Sequence, residues 1–216
     1  AFSPDIIFIT KGEILSPAVL HELKSLAPLV AYYWDDPLLE FAQREDRTQD
    51  VRFRHLAQGI PLYDYSFVYD DYYIDALKSR GARQVEYLPH FFEAEIFRPM
   101  SLSEKERKFW GSDVAFVGSP YANRLDLFEH LSGLDVALWG PRFRWKEFFG
   151  RHPILRRFYR GEASGEQAVR IYNASAIVLN LHDQFQCHNA LNNRTFQILA
   201  SGAFELVDDR ARLHEM

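Results

Sequence analysis

The sequence predicts an α/β protein made of two Rossmann-like halves, each with a parallel sheet. Three observations predict it. Short apolar runs alternate with amphipathic stretches along the chain. The runs, such as DIIFIT (5–10) and DVAFV (113–117), are continuous rather than alternating, the pattern of strands covered on both faces. The alternation also breaks once, over 92–111, and then resumes.

In order, DIIFIT reads as the first strand. SPAVLHELKSLAP follows as a helix, with Ser16 at the N-cap, Pro17 in the first turn, Leu20, Leu23 and Leu26 on one face, and Pro28 as the stop. LVAYYWDDP is a second strand ending in two acids, and YDYSFVYDD a third. Asp70 or Asp71 caps a helix through Lys78, which Gly81 ends, and QVEYLPH is the fourth strand. FEAEIFRPMSLSEKERKFWG carries a proline and a charge cluster but no strand signal. It marks a boundary, giving an N-terminal domain 1–105 and a C-terminal domain 106–216. The second set begins with strand DVAFVGS, helix YANRLDLFEHL and strand DVALWG. SGEQAVRIYNAS follows, with Ser164 and Gln167 spaced as a capping box, and then strand AIVLNLH. A helix over 193–201, closed by Gly202, leads to strand AFELVD.

Composition excludes several classes. The 216 residues are 47% hydrophobic, with 18 Phe, 11 Tyr and 4 Trp, enough for a sizeable core. A net charge of −5 argues against nucleic acid, which needs a basic face. The single Cys187 rules out an internal disulfide and a cysteine-based metal site, and it fits a reducing, cytoplasmic setting. No apolar run is long enough to form a transmembrane segment. The chain begins without Met and stops inside a helix pattern, and reads as truncated at both ends.

Parallel sheets bind ligands at the carboxyl ends of their strands, so the residues that follow each strand are the informative ones. These are Asp35, Asp36 and His90 in the first half, and Gly118, Ser119, Gly140, Asn180 and His182 in the second. Each also has an ordinary reading as a turn or a satisfied core residue. GSPYANR lacks the dinucleotide fingerprint, there is no phosphate loop, and no zinc motif or Asp-x-Asp is present, so no metal site is expected. Arg142, Arg144 and Lys146 form a basic, aromatic patch that reads as surface. Asn192 to Gly202 is stronger. A helix N-terminus carries unpaired N–H groups and a partial positive charge. Arg194 in that first turn opposes the dipole, which an anion bound there would explain; the alternative is pairing with an acid such as Asp183.

DVAFVGSPYANRLDLFEHLSGLDVALWG, IYNASAIVLNLH and NNRTFQILASGAFELVDD, in this order, resemble the glycosyltransferase-like family of the spore maturation protein CgeB. So do PDIIFITKGEILSP, VAYYWDDP and YDYSFVYDD…VEYLPH…FRP. The resemblance implies a GT-B fold, two Rossmann-like domains facing a cleft. The C-terminal domain would hold a nucleotide-sugar donor, and the N-terminal domain an acceptor that is a glycan, a protein or a small molecule. Neither a metal nor another cofactor is implied, because the nucleotide sugar is a substrate. By position, Asn192, Arg194, Phe196, Ile198, Ala200 and Gly202 match the family pattern Asn-x-Arg-x-Phe-Glu-Ile-x-Ala-x-Gly. Gln197 stands where a ribose-holding Glu is expected. In the transferase reading the candidates for donor contacts are then Gly118, Ser119, Arg124, Gly140, Asn180, His182, Asn193, Arg194 and Gln197, and Asp35, Asp36 and His90 are the candidates for acting on the acceptor. A non-catalytic GT-B-like module that binds a nucleotide, a sugar or a protein is the alternative, and Gln197 is its support.

Overall fold

The computed structural model describes residues 3–12, 14–34, 51–182 and 187–216. The chain divides into two compact units: Ala1–Pro89 with Phe185–Ala190 and Arg210–Met216, and His90–Gln184 with Leu191–Asp209. The segment 90–105, given to the first half on sequence, packs onto the second unit: Phe97 lies in its core, with Ile96 and Met100 against it.

The first unit has a four-stranded parallel sheet in sequential order, β1 (Ile6–Thr10), β2 (Leu29–Trp34), β3 (Tyr65–Val68) and β4 (Val85–Tyr87). Helix α1 (Pro17–Leu26) is capped by the Ser16 side chain, as the Ser-Pro pair predicts. A helix over Val51–Gly59 (α2), which the sequence reading did not foresee, and α3 (Ile74–Ser79) complete the α-helices described in this unit. Side chains alternate across the strands. Ile9, Val30, Tyr32, Trp34, Val68 and Val85 enter one core with Leu20, Ile60, Tyr63 and Leu77. The other face carries Phe8, Tyr33 and Phe67, ringed together at 5.9–6.5 Å from Phe8. Among the described residues this face is only partly covered, by Cys187 and Ala190 over Tyr33 and Tyr69, and Phe8 stays 48% exposed. Continuous apolar runs predicted two covered faces; aromatic bulk, not burial, produced part of that pattern here.

The second unit is covered on both faces. Its strands are β5 (Val114–Val117), β6 (Val136–Trp139), β7 (Tyr159–Gly161), β8 (Ile177–Asn180) and β9 (Glu205–Val207), all parallel, in the order β7-β6-β5-β8-β9. The helices are α4 (Glu104–Trp110), α5 (Ala122–His130), α6 (Arg142–Lys146), α7 (Pro153–Phe158), α8 (Glu166–Ala174) and α9 (Asn193–Ala200). Val114, Phe116, Val136 and Leu138 pack on Leu125, Phe128, Trp145 and Leu155 from α5–α7. Ala115, Val117, Ala137 and Trp139 pack on α8 and α9 through Val169, Ile171, Tyr172 and Ile198. The capping box falls elsewhere than expected. Ser103 and Glu106 form one at α4, whereas α8 starts from Gly165 with no side-chain cap.

The order of this sheet positions a site. From β5 the chain steps to β6 and β7 on one side, then returns to β8 and β9 on the other. The reversal lies between β5 and β8, the place where the crossovers diverge and a crevice opens at the strands' carboxyl ends. Gly118 directly follows β5, and Asn180 ends β8.

Candidate functional site

Asn180 is fully buried at the end of β8. Its amide pairs reciprocally with that of Asn192, each nitrogen 3.0 Å from the other's oxygen. The Asn180 Nδ2 also lies 2.9 Å from Thr195 Oγ1 and 2.8 Å from Glu205 Oε1. Asn192 in turn is the N-cap of α9 and accepts from the Thr195 N–H at 3.2 Å. One buried amide therefore fixes where α9 starts. With Nδ2 among acceptors, the Asn180 oxygen is left to receive, and Arg194 Nη1 donates to it at 2.9 Å.

Arg194 is held from a second side. Its guanidinium carbon lies 5.0 Å from the centre of the Phe116 ring, at the end of β5. A Cβ built on Gly118 would come within 2.3 Å of Arg194 Nη2, so a side chain there would displace the guanidinium from this position. The guanidinium thus sits at the switch point, bonded to the end of β8 and packed on the end of β5. Asp183, its alternative partner on sequence, lies outside the described residues.

Arg124, 3% exposed, approaches the same ring at 5.3 Å. It donates to the Ser119 carbonyl at 2.8 Å and to the Leu181 carbonyl. It ties the loop after β5 to the loop after β8, a strut across the crevice rather than an outward-reaching contact. Two guanidinium groups thus flank one ring, and the Glu205 and Asp208 carboxyls bond to the neighbouring Asn180 and His182.

The glycines act by the space they leave. The Gly118 N–H donates to Trp139 O at 2.8 Å and the Gly140 N–H to Gly161 O at 2.9 Å. Both amides extend the sheet. A Cβ on Gly140 would lie 2.1 Å from the Gly118 carbonyl oxygen, which also accepts from Trp145 Nε1 at 3.0 Å. Gly140 allows the two strand ends to close, and Gly118 admits Arg194.

His182 is buried, and its backbone N–H and Nδ1 both lie 2.8 Å from Asp208 Oδ1. It locks the end of β8 to the end of β9. Asn193 is exposed and Gln197, one turn further, is partly buried. Burial pushes the Glu205 carboxyl up; bonds from Asn180 and Thr195 and the charges of His182 and Arg194 oppose this without cancelling it. His90 begins the second unit and is partly exposed. Asp35 and Asp36 fall outside the described residues. Asn192 is in the stretch that the sequence marks, and its role as the helix cap follows from an Asn three residues before Thr195 at a helix start. Phe116, Thr195, Glu205 and Asp208 carry no comparable signal in the sequence.

Residues 124–216 match a family described as glycosyl transferase-like. The chain is 25% identical over 224 residues to spore protein CgeB of Bacillus subtilis (strain 168), covering 96% of this chain and 65% of that protein. Among solved structures, sucrose-phosphate synthase from Thermosynechococcus elongatus aligns with a TM-score of 0.65 at 12% identity, over 98% of this chain and 57% of that one. HepE from Anabaena in complex with UDP-glucose aligns with a TM-score of 0.62 at 12% identity, over 98% and 62%. The chain thus spans less than two thirds of each of these proteins. The C-terminal part of the sequence is thus similar to a glycosyl transferase-like family, the whole chain is similar to CgeB, and the fold over almost the whole length is that of these two solved structures.

Proposed function

We propose that the protein transfers a sugar from a nucleotide-sugar donor to an acceptor. The observation that carries the reading is the Arg194 guanidinium fixed at the β5/β8 switch point, beside the start of α9. Displacement at the anomeric carbon breaks the bond to the diphosphate, which leaves with growing negative charge. A guanidinium already oriented by Asn180 and Phe116 meets that charge without reorganising. The helix start adds its partial positive charge. The likeness to a glycosyl transferase-like family and to a protein solved with UDP-glucose supports the same chemistry.

In this reading the second unit takes the donor and the first the acceptor. The nucleotide sugar is itself the substrate, so no resident cofactor is called on, and the chain's cations take the role a metal would have. Asp35, Asp36 or His90 would receive the acceptor hydroxyl's proton. A nucleotide-sugar substrate and a single cysteine suit a cytoplasmic setting, and no helix among the described residues is long and apolar enough to cross a membrane. One observation favours a second reading, a binding module without transfer: Gln197 replaces the expected glutamate. Incubation with UDP-glucose and other nucleotide sugars, with and without a chelator, tests transfer through release of nucleoside diphosphate. Turnover that Arg194→Ala abolishes supports the transferase; tight nucleotide binding without turnover for any donor and acceptor supports the module.

A further inference from the structure

Two residues of the basic patch, Arg142 and Lys146, line a cavity. Between Arg142 and Arg160 the chain carries seven cations (Arg142, Arg144, Lys146, Arg151, Arg156, Arg157, Arg160) and a single acid, Glu147. Its net charge is −5, so this stretch inverts the sign of the whole. The fold gathers four of the seven, from α6, α7 and β7, around one cavity of about 630 Å³. Phe149 and Tyr159 supply ring surface to the same wall.

The four cations are not equally engaged. Arg160 donates to the Gly111 carbonyl and pairs with Asp135. Glu162, the acid of the lining, accepts from the Arg142 backbone N–H at 2.8 Å. Tyr159 donates its hydroxyl to the Gly140 carbonyl at 2.9 Å, which fixes its ring in the wall. Among the described residues, the side chains of Arg142, Lys146 and Arg156 have neither a hydrogen bond nor an ion pair. Three unengaged cations on a concave surface repel one another and focus a positive potential into the cavity. The volume is that of a site for a small organic molecule.

We propose that this cavity is a second anion site, separate from Arg194, that takes a small phosphorylated ring compound: a sugar phosphate or a nucleotide. Arg142, Lys146 and Arg156 bind the phosphate, and the guanidinium groups suit its oxygens in a two-pronged geometry. Phe149 and Tyr159 cover the ring. None of the residues that orient Arg194 lines the cavity, so its failure and that of the transferase reading are separable.

The test is calorimetric titration of the full chain, carrying Arg194→Ala so that the proposed donor site is weakened, with glucose 6-phosphate, uridine monophosphate and inorganic phosphate. Both ring phosphates should bind about tenfold more tightly than inorganic phosphate, and whichever binds more tightly names the source. The triple change Arg142→Ala, Lys146→Ala and Arg156→Ala should weaken them about a hundredfold or more, given the strength of bonds to charged groups. All three side chains are exposed, so the melting temperature should hold. Arg144→Ala with Arg157→Ala, which removes two cations outside the lining, should change it less than threefold or so. Unchanged affinity in the triple variant, an equal loss in the control pair, or no preference for a ring phosphate would each overturn the proposal. So would binding only to vesicles of anionic phospholipid, which would make the patch a membrane-facing surface.

Discussion

Each unit buries a polar side chain just beyond the carboxyl end of a strand, and the two are used differently. Asp70, two residues after β3, is fully buried and accepts from the Tyr72, His188 and Asn189 N–H groups, at 3.1, 2.7 and 3.1 Å. Its neighbour Asp71 accepts from Asn189 Nδ2 and pairs with Arg212, which lies over Tyr87 and also pairs with Glu215. The carboxylates thus hold two returning segments, 187–190 and 210–216, against the first unit. Asn180, ending β8, is equally buried, and its network takes in a cation beside a helix start. The first cluster joins segments distant in sequence through carboxylates. The second holds a guanidinium, the group that the proposed reading gives to a diphosphate. Burial of a polar group says nothing by itself about binding; which charge the network holds is what variants of Asp70 and Arg194 test.

The comparison breaks most visibly at Asp70. Asp70→Ala leaves three backbone donors without their acceptor, a loss of about 3 kcal/mol. The melting temperature should fall on the order of 10 °C for a unit of this size. Scanning calorimetry checks it; an unchanged transition would show that the cluster is not what ties the returning segments down.

The second cluster should behave in the opposite way. Arg194→Ala should leave the melting temperature nearly unchanged and weaken nucleoside diphosphate binding about tenfold to a hundredfold, since a charge-assisted bond contributes about 1.5–3 kcal/mol. Gly118→Ala should reproduce that loss, because its Cβ occupies the Arg194 position. If Gly118→Ala binds like the wild type in fluorescence titrations, the guanidinium is not used where it lies.

A smaller effect sharpens the picture one turn into α9. Gln197→Glu should tighten nucleotide binding by about fivefold, because a carboxylate accepts from both ribose hydroxyls and a charged bond adds about 1 kcal/mol. The 2′-deoxy nucleotide should not share the gain. Equal behaviour of both nucleotides places the ribose elsewhere.

The smallest effect is on pH dependence. Burial raises the Glu205 carboxyl above its unfolded value. Its contribution to stability is therefore complete below the ordinary glutamate range and is lost as pH rises through the raised value. Glu205→Gln keeps an acceptor for Asn180 and removes this titration. Its stability relative to the wild type should grow as pH rises past the ordinary glutamate range, as urea unfolding at a series of pH values would report. A constant difference would mean that Glu205 titrates alike folded and unfolded.

The class of the fold, the positions of the principal strands and the start of α1 were written locally. Apolar runs and the Ser16-Pro17 pair each act within a few residues, so the sequence alone determined them. The Arg194 position was legible for the same reason, as a charge on the wrong end of a helix dipole. Three things were decided only in three dimensions. The Ser164–Gln167 spacing formed no box, and α8 starts from Gly165 with no side-chain cap, whereas Ser103–Glu106 formed one at α4. The orientation of Arg194 depends on Asn180, 14 residues earlier, and on the absence of a Cβ at Gly118, 76 residues earlier. The cavity at Arg142, Lys146 and Arg156 needs the β7 edge strand, a three-residue segment too short to signal itself. Local rules read the groups that a segment satisfies within itself. A site is made of groups that a segment leaves over, and where these meet is a property of the sheet order.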